Sequence, residues 1–366
     1  MNARFLLAVT LGLYLVLPAP AVAQIFVFDD GGNHIISAPS CPHVFVYDGP
    51  FDQPTTVELL NGSMGGEAHV YGHSSFINHV YLLTTLYAYD SSHITSTTGV
   101  WYVEAYGDST VEALVMAGVS AYGNSTIIAD FDSSYSWCYV EAYDSSKVTV
   151  YGWVGSGVWA NDDSVVAVNA LIEGSLWASG RANVTVDGEV RGGLSAGGSS
   201  NVIISGASIG NIWGEPCGLI AYDNSTVTIA GGWIGGALES PAVCAVGNST
   251  VAIFAGTLGD DLVAGGESNV TISGGSIEGD IYVRSTLAVD GHDYYIDGQS
   301  FPYGGTLDSG GQPSRTGTLT CTLTNGGSLS NTFTIYDGGT LVLIPEPATL
   351  SLLTLGGLPV LRRRKK

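Results

Sequence analysis

The side chains able to do chemistry in this 366-residue chain are five cysteines, seven histidines, 19 tyrosines, and 33 carboxylates set against 11 basic residues. The cysteines are Cys41, Cys138, Cys217, Cys244 and Cys321, with no CxxC pair to suggest a structural zinc site. Cys217 and Cys244 are a candidate disulfide, though spacing alone leaves their separation open. Cys321 alternates with Leu319 and Leu323 and reads as a buried apolar thiol. His69, His73 and His79 cluster in a strand-like stretch. There a four-residue spacing does not converge on a metal, so they read as exposed turn histidines and no metal site is expected. Carbohydrate-active chemistry would need several carboxylates converging on one face, usually with a basic partner. Asp90, Asp144 and Asp223 fall at a turn position and Glu104 and Glu141 lie before the motif alanine, without three acids in one column on successive coils. Lys147, Arg181, Arg191 and Arg284 are scattered. The expectation is a protein without catalytic residues or cofactor.

The elements that carry these residues are announced by a repeat. A motif of the form Ala-Tyr-(Gly/Asp)-(Asn/Ser/Asp)-Ser-Thr-Val recurs, as in AYGDSTV (105–111), AYGNSTI (121–127), AYDNSTV (221–227) and AVGNSTV (245–251). Its closing apolar residue, from Val57 through Phe76 and Ile94 to Leu287, returns every 16 to 25 residues, about 19 on average. A second half, such as GWVGSGVWA (152–160) or GGSIEGDIYV (274–283), alternates apolar with polar or small residues, the period of a strand with one buried face. Glycine pairs and Asp-Gly steps separate the halves as turns. Strands this short cannot bury an apolar face alone, whereas stacked repeats share one continuous core. The sequence therefore predicts an all-β parallel β-solenoid, a right-handed β-helix of about 12–13 coils over residues 57–290. Residues 24–56 are less periodic and are expected to cap the first coil. Residues 291–344 are expected to cap the last one with strands, including a hairpin around Asn325-Gly326-Gly327. The repeat resembles that of secreted bacterial β-helix proteins, and the resemblance by itself implies no activity.

The stack would place Tyr71, Tyr89, Tyr106, Tyr122 and Tyr143 at one position on five successive coils, with Trp159 and Trp177 sharing another. Such columns have two readings. Stacked rings can tie neighbouring coils together, as cross-strand pairs do, or a flat aromatic strip can hold sugar rings.

Both ends of the chain read as addresses. Residues 1–23 have a basic Arg4, an apolar run from Phe5 to Leu17 and a terminal Ala21-Val22-Ala23, the pattern of a secretory signal peptide cut between Ala23 and Gln24. Residues 345–366 run Pro345-Glu346-Pro347, then apolar residues from Ala348 to Leu361, then Arg362, Arg363, Arg364, Lys365 and Lys366. This tripartite tail resembles the PEP-CTERM sorting signal of exported bacterial proteins. The resemblance implies recognition and cleavage by an exosortase in a bacterium that makes extracellular polysaccharide, with the basic cluster halting the apolar segment in the inner membrane. The apolar stretch is short for a lasting transmembrane helix and suits transient retention.

Between residues 24 and 346 only five basic residues face 33 acidic ones, a formal balance of −28. A surface so acidic offers nothing to neutralise phosphates, which argues against nucleic acid and anionic lipid as partners. The expected function is that of a non-enzymatic, exported cell-surface or matrix β-helix protein associated with extracellular polysaccharide. A polysaccharide lyase or hydrolase and an adhesin are the alternatives.

Overall fold

The computed structural model describes residues 25–345 apart from 38–42, 62–64, 82–84, 132–136, 211–216 and 237–239. The signal-peptide residues with their Ala23–Gln24 junction, the tail from Glu346 to Lys366, and Cys41 lie outside the described residues.

The described chain is all-β and forms a parallel β-solenoid of about 13 turns. Each step of the sequence repeat is a step of strand pairing. Val57 lies beside Phe76, Phe76 beside Ile94, and Ile94 beside Val111. The column continues through Ile127, Val148, Val166, Val184 and Val202 to Val227, Val251, Val270 and Leu287. Parallel strands keep like residues beside like residues, so one inward-facing apolar position becomes a continuous buried ridge. Opposite it runs a column of small residues from Ala88 through Ala105, Ala121, Ala142 and Ala160 to Ala264. Its alanines are almost wholly buried, as are the valines and isoleucines. Pairing small against branched side chains fills a narrow interior without voids. A third, shorter wall is built from Val154, Ile172, Val190, Ile209, Ile234, Leu258 and Ile277.

The motif's Tyr-(Gly/Asp)-x-Ser segment is the corner between the first two walls. Its second residue is left-handed in every full copy, with φ of 56–69° from Gly72 to Gly266, four aspartates included. Glycine enters that region without a Cβ clash and aspartate at modest cost, hence the restriction to these two types. Aspartate adds a bond that glycine cannot make. The carboxylates of Asp144 and Asp223 accept the backbone N–H of Gly123 and Gly198 on the preceding coil at 3.0 and 3.1 Å. The serine that follows turns inward: Ser92, Ser109, Ser125, Ser146 and their equivalents form a buried column. The corner is so tight that the second residue after its left-handed one already faces the core and must be small.

Residues 25–56, for which a cap is expected, contribute parallel strands to the same walls. Ile25–Phe28 pairs with His43–Val46, and Asn33–Ser37 with Thr56–Asn61. They lack the Ala-Tyr signature yet alternate correctly. At the other end Ser314–Leu323 and Ser328–Tyr336 form an antiparallel hairpin. Ser328–Tyr336 adds in parallel to Ile281–Val283, and Thr340–Pro345 to Thr286–Ile296. Thr306–Asp308 then runs antiparallel along Thr340–Pro345, so this end finishes in antiparallel pairing.

Candidate functional site

The wall carrying the alanine column presents two outward columns, one on each side of the alanines. The first holds Tyr47, Tyr71, Tyr89, Tyr106, Tyr122 and Tyr143. Their rings stack in succession with centroids 4.5–5.2 Å apart and planes within 8° of parallel. The second column, one residue before the alanine position, begins with Phe45, His69 and Tyr87, stacked at 4.8 and 4.4 Å. It continues through Glu104, Ser120 and Glu141 to Trp159 and Trp177, whose indoles stack at 5.0 Å.

Because each tyrosine ring lies parallel to the next along the solenoid axis, inner members of the ladder have both faces covered. Only ring edges and hydroxyls point outward, and all five motif tyrosines are half-buried. A sugar ring binds an aromatic side chain through the open face, so this arrangement favours the coil-tying reading of the column. Burial raises the phenol pKa values of Tyr71, Tyr89, Tyr122 and Tyr143, that of Tyr89 to about 12. The Tyr106 phenol is pushed higher by burial, by its hydrogen bond to Glu104 Oε2 at 2.5 Å, and by the charge of that carboxylate. The hydroxyls therefore stay protonated donors in neutral solution.

Glu104 and Glu141 occupy the same column two coils apart with the buried Ser120 between them. Tyr106, Tyr122 and Tyr143 wall them on one side, while Tyr102 and Tyr139, with centroids 6.4 Å apart, lean together on the other. Gly118 permits that approach: a Cβ there would lie 2.7 Å from the Tyr139 ring. The shared offset of Glu104 and Glu141 is legible in the motif; the tyrosines that flank them are not, because Tyr102 and Tyr139 lie outside it.

The remaining candidates are placed as follows. Cys217 and Cys244 are joined in a disulfide with Cα atoms 6.1 Å apart. Cys244 sits on Val243–Ala245, beside Leu219–Ala221, and Cys217 lies two residues before that neighbouring strand. The chain takes ten residues from Ile209 to Leu219 where the preceding coil takes four from Val190 to Leu194, and that longer connection supplies the cysteine. Cys138 and Cys321 are buried thiols, and burial pushes Cys321 up to about 12. His69 departs from the expected exposed turn. It lies on Ala68–Val70 with its side chain 14% exposed, sandwiched between Phe45 and Tyr87, and its Nε2 is 3.2 Å from Glu67 Oε2. Valine stands at position 70 where later coils have alanine. His73 is at a turn beside Asp48, and His79 is 3.2 Å from Glu58 Oε1. Of the sorting motif only Pro345 is described, at the end of the last strand and opposite Gly291. Among the described residues no group of three or more His, Cys, Asp or Glu side chains is arranged to hold a metal ion, and no helix is long and apolar enough to cross a membrane.

Comparison with known proteins returns no match to a family model, to a curated protein or to a solved structure.

Proposed function

We propose that this chain is an exported, non-enzymatic β-solenoid that is sorted by its PEP-CTERM-like tail as an exosortase substrate and resides at the cell surface or in the extracellular polysaccharide. The observation that carries the reading is the way the solenoid ends. The terminal strand closes at Pro345, in register with Gly291, so the Pro-Glu-Pro segment starts on the last residue of the last coil. A cut there would remove the membrane-held tail and leave every coil intact, and before the cut the solenoid would be tethered by its end. Replacement of Pro345, Glu346 and Pro347 by alanine should make a membrane-associated precursor accumulate in cell fractions. Unchanged processing of that variant would refute the sorting role.

One observation favours a second reading, hydrolysis of a polysaccharide. Glu104 and Glu141, two coils apart, have backbones separated by about 9.6 Å. That is close to the upper end of the roughly 6.5–9.5 Å between the carboxyl groups of inverting glycoside hydrolases. Release of reducing ends from a polysaccharide panel, abolished by Glu104→Gln or Glu141→Gln, would establish this reading in place of the first.

A further inference from the structure

The stacked tyrosines and Trp233 are aromatic surfaces of opposite kind. Trp233 lies on Thr226–Ile234, in the third wall, with Ser208 on the preceding coil and Thr257 on the following one as its column neighbours. Neither neighbour is aromatic, and among the described residues no ring stacks on the indole. It lies instead along the surface over two glycines. A Cβ at Gly235 would meet its Cη2 at 2.0 Å, and one at Gly259, on the next coil, would meet its Cζ2 and Nε1 at 2.9 Å. The six-membered ring thus covers one glycine and the pyrrole side the other. Only residues without a side chain allow an indole to lie down across two coils in this way. Trp233 is 43% exposed, and because the glycines back one face of the ring, that exposure is left to the other face and the edges.

Polar groups border the indole. The Thr257 hydroxyl accepts from Ser276 Oγ at 3.0 Å. Asp260 follows Gly259 directly, and one of its oxygens accepts the Gly236 N–H at 3.3 Å, which holds that carboxylate beside the glycine shelf. An open aromatic face bordered by hydroxyl and carboxylate acceptors matches one ligand chemistry well. A pyranose presents an apolar C–H face to the ring and a rim of hydroxyl donors to the acceptors. The surrounding negative charge disfavours acidic sugars.

We propose that Trp233, on its Gly235–Gly259 shelf, is a stacking platform for a neutral saccharide unit, flanked by Thr257 and Asp260. The proposal rests on the polysaccharide-association reading above and locates the contact away from the tyrosine ladder.

The test titrates full-length processed protein with two neutral probes, cellohexaose and laminarihexaose, following tryptophan fluorescence and calorimetric heat. At least one probe should bind the wild type. Trp233→Ala should weaken that binding at least tenfold with an unchanged unfolding midpoint, Trp233→Phe should retain part of it, and Asp260→Asn should lose a smaller share. Trp137→Ala, which removes an indole 82% exposed on a connecting segment, and Tyr106→Ala should bind as the wild type does. Wild-type affinity in Trp233→Ala, measured on a probe that binds, would overturn the platform while leaving polysaccharide association standing. Absence of binding to either probe, together with retention on matrix polysaccharide that Trp233→Ala does not alter, would also overturn it. Loss of all retention by the wild type would sink the association reading as well.

Discussion

The coils from Tyr47 to Tyr143 and those from Leu219 to Ala245 hold their neighbours by different means. In the first region successive ladder residues are 16 to 24 apart, and one outward column is filled with tyrosine rings stacked at 4.5–5.2 Å. In the second the spacings are 25 and 24 residues and the ladder position holds Tyr222 and then Val246, so the rings do not continue. A disulfide from a long connection bridges the two coils there. Both regions keep the same buried columns, so the interior sets the register and the exterior supplies the extra hold. Continuous stacking requires the same residue type on every coil, which drifts easily in a repeat; a covalent link needs only two positions.

That contrast ranks the expected effects. The largest follows removal of the disulfide. Closing a segment of 27 residues restricts the unfolded chain, and its loss in Cys217→Ala/Cys244→Ala should cost about 3–4 kcal/mol. Hydrogen exchange should show the loss concentrated between Leu219 and Ala264, with the tyrosine coils unaffected. Uniform loss along the chain would mean that the two regions are not separately held.

A smaller effect belongs to the ladder. Tyr106 has a ring on each side and a hydrogen bond to Glu104, whereas Tyr143 has a stacked ring only on the Tyr122 side. At about 0.5–1.5 kcal/mol per ring pair, Tyr106→Ala should cost about 1–3 kcal/mol and Tyr143→Ala about half of that. Equal costs in denaturant unfolding would mean that the rings act singly, through their own burial, and not as a stack.

How much of this was legible beforehand depended on how many residues a feature repeats over. The inward column from Val57 to Leu287 could be read because burial admits only a few residue types and the strand period brings them back. The Gly/Asp corner was equally plain, since only those types tolerate its φ. His69 was misread as an exposed turn because Val70 stands where later coils have alanine, although the alternation through Ala68-His69-Val70-Tyr71 already marked a strand. The shared offset of Glu104 and Glu141 was legible, but the flanking pair Tyr102 and Tyr139 was not, because an outward position is under no packing constraint to repeat. Trp233 carried no signal either: its wall pairs through only two residues per coil, too few for a period, and its glycine shelf spans two coils.

The central claim, that each coil is held chiefly by its immediate neighbours, is tested most directly by deleting residues 167–184. The deletion leaves Val166 in the place of its column partner Val184 and joins it to Thr185 without breaking any inward column. The shortened chain should fold with a parallel-β circular dichroism spectrum, form the Cys217–Cys244 disulfide, and unfold within a few degrees of the full-length protein, since stability in a stacked repeat is close to a sum of nearest-neighbour terms. A chain that fails to fold, or that loses the disulfide several coils away, would contradict it.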